Sequence, residues 1–191
     1  MKLQTTILIL AVLTTLLTSI TVVYAQEKED SLPFSINIPD SWAYTETPES
    51  SIERLLGVHS YSSVVLVPTE FGAFLIEEGD IEINNVSAAI VFAKDQDYSV
   101  KNAPLDLYVK FRMNKDDSFN VTSQKNTIVA NEIAVRLEGN ENYISTQARI
   151  LDYLVLHNNE PYHIRYKANV NDYDKYLSDF EAMVKSFTFK D

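Results

Sequence analysis

The alternation of apolar and polar positions is clearest between Thr146 and Asp191. Ile150–Leu156 is apolar on both faces except at Asp152, the pattern of a strand inside a sheet with cover above and below. Asn158-Asn159 follows, and asparagine tolerates the positive φ that a two-residue hairpin turn requires. With those two residues as the loop, the return strand through Tyr162–Ala168 places Arg165 opposite Asp152, a cross-strand ion pair that a register slip of one residue would abolish. The same register sets His163 opposite Leu154 and His157 on the other face, whereas a loop longer by three residues would bring the two histidines together. Tyr173, Tyr176, Leu177, Phe180, Met183 and Val184 then recur at the three- and four-residue spacing of one helical face. Asn171 stands as the N-cap of that helix with Asp174 in the position of a capping box, and Ser186–Phe189 leaves it as a short closing strand.

Upstream the pattern is more broken. Phe34, Ile36 and Ile38 alternate, Pro39-Asp40-Ser41 turns the chain, and Trp42–Glu46 returns, which predicts a β-hairpin. Thr47-Pro48-Glu49 opens a short helix that Gly57 stops. Ser63–Val67 is a buried strand ended by Pro68, and Thr69-Glu70 begins a helical turn with Phe71, Phe74 and Leu75 on one side. Glu77–Asn85 is a polar loop or an edge strand, whereas Val86–Ala93 is apolar on both faces and therefore central. Asn102-Ala-Pro104 opens a helix whose apolar side is Leu105, Leu107, Tyr108, Phe111 and Met113. Val121–Leu137 reads as strand, turn and strand about Ala130-Asn131-Glu132, and Gly139–Asn142 is the next break. Neighbouring hairpins with helices inserted between them predict an α+β domain, a central antiparallel β-sheet covered by helices on both faces.

This order resembles the PsbP superfamily, whose founding members are exported accessory proteins of photosystem II. The likeness rests on Phe34-Ser-Ile-Asn-Ile-Pro-Asp-Ser-Trp42 and on the closing unit from Asp152-Tyr-Leu-Val-Leu through the helix to Val184-Lys-Ser-Phe187. The chain is also similar to a group of archaeal exported proteins of this fold. The resemblance implies a PsbP-like α/β/α sandwich. It places no functional residue on this chain and implies no photosynthetic role.

The first 25 residues stand apart. Lys2 is the only charge before Glu27, Ile7–Val23 is an almost unbroken apolar run, and Val23-Tyr24-Ala25 offers the small residues a signal peptidase reads. The expectation is a signal peptide over residues 1–25, with an uncleaved N-terminal membrane anchor as the alternative. A polar linker over 26–31 and one domain over 32–191 follow. The expected location is extracytoplasmic, secreted or tethered to the outer face of a membrane. The chain has 191 residues, enough for a sizeable core, and no cysteine, so disulfides and thiolate chemistry are excluded. Its net charge of −11 argues against nucleic acid and anionic lipid as partners.

Candidate chemistry is sparse. Four glycines exclude a glycine-rich phosphate loop, and neither Gly-x-Ser-x-Gly nor His-Glu-x-x-His occurs. The acids Glu77, Glu78, Asp80 and Glu82, the pair Asp95 and Asp97, and the pair Asp172 and Asp174 lack the spacing of a calcium loop. His59, His157 and His163 read as structural or surface histidines. No catalytic, cofactor-binding or metal-binding residue is therefore assigned, and no cofactor is expected. Asn85-Val-Ser87 and Asn120-Val-Thr122 match the N-glycosylation acceptor pattern. The 11 tyrosines suit both core edges and binding surfaces, and any exposed group of them is the first candidate for a binding patch. The expected function is a non-catalytic, exported domain that binds a protein partner or assists an extracytoplasmic complex. A small-ligand or metal-binding carrier is the alternative, and a cryptic envelope hydrolase ranks below it.

Overall fold

The closing unit forms as its pattern dictates. In the computed structural model, which describes residues 32–44, 63–70, 87–96, 98, 103–142 and 147–190, Gln147–His157 and Glu160–Asn169 are two long strands joined by Asn158 and Asn159, with φ of 52° and 63°. The register sets Asp152 opposite Arg165 and Leu154 opposite His163. His157 and His163 therefore lie on opposite faces of the sheet.

In chain order the elements are β1 (Phe34–Ser35), β2 (Trp42–Tyr44), β3 (Ser63–Pro68), β4 (Ala88–Lys94), α1 (Leu105–Lys115), β5 (Phe119–Val129), β6 (Glu132–Asn142), β7 (Gln147–His157), β8 (Glu160–Asn169), α2 (Tyr173–Ser186) and β9 (Thr188–Phe189). Seven of the strands make one antiparallel sheet in the order β2-β3-β4-β8-β7-β6-β5, and β1 pairs with β9. The strands read as apolar on both faces, β4 and β7, lie inside the sheet. Helix α1 packs against one face and α2 against the other, so the α+β sandwich is realised.

Each face has its own core. On the α2 side Phe34, Phe92 and Phe187 are fully buried, with ring centroids of Phe34 and Phe187 5.2 Å apart and those of Phe92 and Phe187 stacked at 5.7 Å. Tyr166 stacks on Phe180 of α2 at 5.2 Å. On the α1 side Tyr108 and Val109 pack against Val135, Leu137, Ile150 and Leu154.

Several local expectations give way to tertiary contacts. The Pro39–Ser41 turn is present, with Trp42 N–H donating to Pro39 O at 2.9 Å, but among the described residues its arms do not pair with each other. Phe34 and Ser35 pair with β9, and Trp42–Tyr44 pair with β3. Asn37 N–H is drawn to Ser186 Oγ at 2.9 Å, which pulls the first arm toward the end of α2. Trp42 Nε1–H meanwhile donates to Asp179 of α2 at 3.0 Å. The proposed break at Gly139–Asn142 is instead the second half of β6. The irregularity sits on the partner strand, where Thr122 is a bulge between Val121 and Ser123. Gly139 is needed opposite it, since a Cβ there would lie 2.1 Å from Asn120 O.

The β5–β6 turn uses Ala130 and Asn131 alone, both at positive φ, with Glu132 already paired to Val129. Helix α2 starts one residue late for an Asn171 cap: Asp172 is the N-cap without a side-chain bond, and the Asp174 carboxylate goes to Arg149 at 3.2 Å. The buried side of α1 is Tyr108, Val109 and Arg112, while Leu107 and Met113 are exposed. The elements expected at Thr47–Gly57, Phe71–Leu75 and Glu77–Asn85 lie outside the described residues.

Phe34 joins the start of the domain to its closing strand, and Phe34→Ala removes a fully buried ring from that aromatic cluster. A loss of about 3–5 kcal/mol is expected, read as a lower urea midpoint at unchanged slope.

Candidate functional site

The α1 face of the sheet carries a row of polar residues where an apolar layer would be expected. Asp152, His163, Arg165 and Lys167 point to this face from β7 and β8, and all four are buried. Arg165 makes a bidentate pair with Asp152, Nε to Oδ1 and Nη2 to Oδ2, both at 2.8 Å. Its third nitrogen, Nη1, reaches Asp116 Oδ2 at 2.7 Å. Asp116 is the C-cap of α1, so one guanidinium ties two central strands to the end of the covering helix. Ser118 Oγ–H lies 2.9 Å from Asp116 Oδ1 and 2.8 Å from Glu141 Oε1, and Glu141 pairs with the Lys167 ammonium. A second group completes the layer: Tyr108 O–H donates to Asp95 Oδ2 at 3.0 Å, and Arg112 Nη1 lies 3.7 Å from the same oxygen. Arg112 is thus buried because α1 turns toward Asp95, which explains why Leu107 and Met113 face outward.

The ionisation of these groups follows from burial set against partners. Burial alone would raise the Asp152 carboxyl, but the Arg165 guanidinium and the His163 ring outweigh it and hold the carboxyl well below the usual range. Burial would lower Arg165, and the Asp152 and Asp116 carboxylates push it up instead. For His163 burial wins: its pKa is lowered although Asp152 opposes the shift. His163 Nε2 is 3.0 Å from Asp152 Oδ2 yet poorly aligned, and among the described residues neither ring nitrogen has a hydrogen-bond partner. Burial also lowers Lys167 against the pull of Glu141, and raises the Tyr108 phenol well above its ordinary value, with Asp95 adding to the effect.

Chemically this layer is committed to itself. The carboxylates are paired and the guanidinium of Arg165 is saturated, so the arrangement works as an internal clamp. Among the described residues no group of three or more His, Cys, Asp or Glu is disposed to hold a metal. Asp95 belongs to the clamp, whereas Asp97, His59, Glu77, Glu78, Asp80 and Glu82 lie outside the described residues. His157, on the other face, bonds Glu132 at 3.1 Å and stacks on Phe189 at 4.0 Å.

Among the described residues no exposed tyrosine patch is found. Tyr153, Tyr162, Tyr166, Tyr173 and Tyr176 are buried, and Tyr143 lies outside the described residues. The prominent apolar exposure is at the tip of the β5–β6 hairpin, where Ile128 and Ile133 face each other across the strands and are 71% and 70% exposed. They point to the α1 face. On the opposite side of the same tip an open groove of about 390 Å³ runs between Thr127, Tyr153, Glu181, Val184, Lys185 and Phe187. Of the two acceptor asparagines, Asn120 is exposed on β5, with the Thr122 hydroxyl bonded to Glu138 O at 3.2 Å, and Asn85 lies outside the described residues. Among the described residues no helix is long and apolar enough to cross a membrane.

No family model matches the sequence, and no curated protein matches it. Solved structures do. Cyanobacterial PsbP from Synechocystis sp. PCC 6803 superposes with a TM-score of 0.51 at 12% identity, covering 83% of this chain and 87% of that one. LpqN, involved in cell envelope biogenesis of Mycobacterium tuberculosis, gives 0.48 at 9%, covering 83% of each chain. The Ran-binding protein Mog1p of Saccharomyces cerevisiae gives 0.45 at 9%, covering 82% of this chain and 90% of that one. The domain has a PsbP-like fold. The last two likenesses are too remote to add to that statement, and none of the three structures supports the likeness to archaeal exported proteins.

Asp152→Asn leaves Arg165 buried beside a neutral amide and should cost about 3–5 kcal/mol in a denaturant titration, while the double variant Asp152→Leu/Arg165→Met should recover much of that loss. His163 sets a separate pH dependence. Its pKa is lower folded than unfolded, so the unfolded chain takes up the proton first as pH falls. Stability is full above the ordinary histidine value of about 6.5 and declines below it. Thermal melts of the parent chain at pH 7.5 and pH 5 should differ more than those of His163→Leu.

Proposed function

We propose that this chain is an exported, non-catalytic PsbP-like domain that binds a protein partner or assists an extracytoplasmic complex. The observation that carries the reading is the hairpin tip. Ile128 and Ile133 stand opposite each other and exposed, beside the two-residue turn at the end of two long strands. Paired, pre-ordered aliphatic side chains suit burial against another protein, because little conformational entropy is lost when they dock. The buried clamp supports the non-catalytic part: its carboxylates are paired with Arg112, Arg165 and Lys167. The apolar run Ile7–Val23 and the small residues before Gln26 support export, with residues 1–25 as a signal peptide or retained anchor, 26–31 as linker and 32–191 as the domain. Asn120 is a candidate for glycosylation in a host that performs it, and Asn85 is carried only by its tripeptide.

One observation favours a second reading. The groove between the hairpin tip and α2, about 390 Å³, is of the size that small-molecule sites occupy. A small-ligand carrier would use it. Native mass spectrometry of protein purified from its host separates the readings, since a carrier shows a stoichiometric bound mass.

The partner reading is tested with the tagged full chain expressed in its own host. Proteins captured with it should be identified by mass spectrometry and rebound as purified components. The variant Ile128→Ser/Ile133→Ser should weaken that rebinding about tenfold or more while its melting curve stays close to the parent's, since both positions are solvent-exposed. Equal binding by parent and variant, or no partner that rebinds, overturns the reading.

A further inference from the structure

We infer that β5 is a self-pairing edge, and that a second copy of this chain adds its own β5 antiparallel to it, joining two seven-stranded sheets into one. The proposal goes beyond partner binding and stands independently of it.

Among the described residues β5, with 11 residues, is the terminal strand on its side of the sheet. Short edge strands resist pairing with another chain, and long ones invite it unless charge, proline or a bulge intervenes. Strand β5 contains no proline and one charged residue, Lys125. Its one bulge, at Thr122, lies near the beginning and leaves Ser123–Val129 in regular register. Gln124, Lys125, Asn126 and Ile128 within that stretch are exposed.

Hydrogen-bond phase decides which groups point outward. The two-residue turn at Ala130 and Asn131 makes Val129 and Glu132 a hydrogen-bonded pair. Alternation along an antiparallel ladder then directs the N–H and C=O of Thr127, Lys125 and Ser123 toward β6, and those of Ile128, Asn126 and Gln124 away from it. A two-fold axis at Asn126 sets Asn126 against its own copy and Gln124 against Ile128. Every outward backbone group in the stretch is then matched, by about six hydrogen bonds. The same register places Lys125 opposite Thr127, so the one charge on the strand does not meet its copy directly. An axis at Lys125 would oppose two ammonium groups, a destabilising cross-strand pair. Ile128, exposed in one copy, gains the aliphatic stem of Gln124 from the other. Asn120 lies beyond the bulge, so a glycan there flanks the joint without occupying it.

The cysteine-free chain allows a direct test on the full-length protein. In this register the two Asn126 Cα atoms are about 5.5 Å apart, inside the range a disulfide spans. The two Gln124 Cα atoms are roughly 14 Å apart. Under mild oxidation Asn126→Cys should give a disulfide-linked dimer at least about tenfold faster than Gln124→Cys. At physiological ionic strength, where the −11 charge is screened, the parent chain should sediment as a dimer. Asn126→Pro should sediment as a monomer with a parent-like circular dichroism spectrum, because the N–H it removes faces away from β6. If Asn126→Pro does not fold, the cysteine pair decides alone. A monomeric parent, or equal cross-linking of the two cysteine variants, overturns the proposal. A monomeric parent that loses a purified heterologous partner on Asn126→Pro also overturns it, and leaves the partner reading standing. A dimer without any partner does the reverse.

Discussion

The bidentate pair between Asp152 and Arg165 governs how the two layers of this domain are joined. It sits on neighbouring interior strands, at 2.8 Å for each of its two bonds. Burying both charges costs several kcal/mol per ion before their attraction is counted, so the pair alone is no source of great stability. What it supplies is direction. The remaining nitrogen of Arg165 reaches Asp116 at the end of α1, and that bond fixes where the helix stops relative to the sheet. The Asp95–Tyr108–Arg112 group does the same for the body of the helix. An apolar helix face could slide by a turn at small cost, whereas a guanidinium shared between two carboxylates has one satisfied position.

The two faces of the sheet are thus held by different physics. On the α2 side aromatic rings pack against one another, and the chain's first and last described strands meet over them through Phe34, Phe187 and Phe189. On the α1 side the layer is ionic. His163 sits inside it without a hydrogen-bond partner among the described residues, and its ring is kept neutral by burial. Acid therefore weakens the α1 layer as His163 takes up a proton.

These constraints also place the surfaces through which the domain meets other molecules. With the charged groups of the interior strands turned inward and paired, the outer hairpin of β5 and β6 presents exposed apolar side chains and, among the described residues, the edge of the sheet. Its tip carries Ile128 and Ile133, and its outer strand carries the long edge. A PsbP-like fold by itself specifies neither feature, because fold and function separate readily in such scaffolds.

Much of the closing unit was legible in the residues alone. Strand period, the Asn158-Asn159 turn and the Asp152–Arg165 register are local properties, set by side-chain alternation and by the conformations asparagine accepts. The helical face from Tyr173 to Val184 is local in the same sense. Other features were decided only by contacts far apart in the chain. The Pro39–Ser41 turn looks like a hairpin until Asn37 is pulled to Ser186 and Trp42 to Asp179. Leu107 and Met113 look like core until Arg112 is drawn to Asp95. Ile133 shares the strand phase of Val135 and Leu137, yet stays exposed while they are buried in the layer beneath α1. Sequence period determines which side of a strand or helix a residue occupies. Whether anything covers that side depends on where the neighbouring element is anchored, and here buried charges spread along the sequence from Asp95 to Lys167 set that anchor.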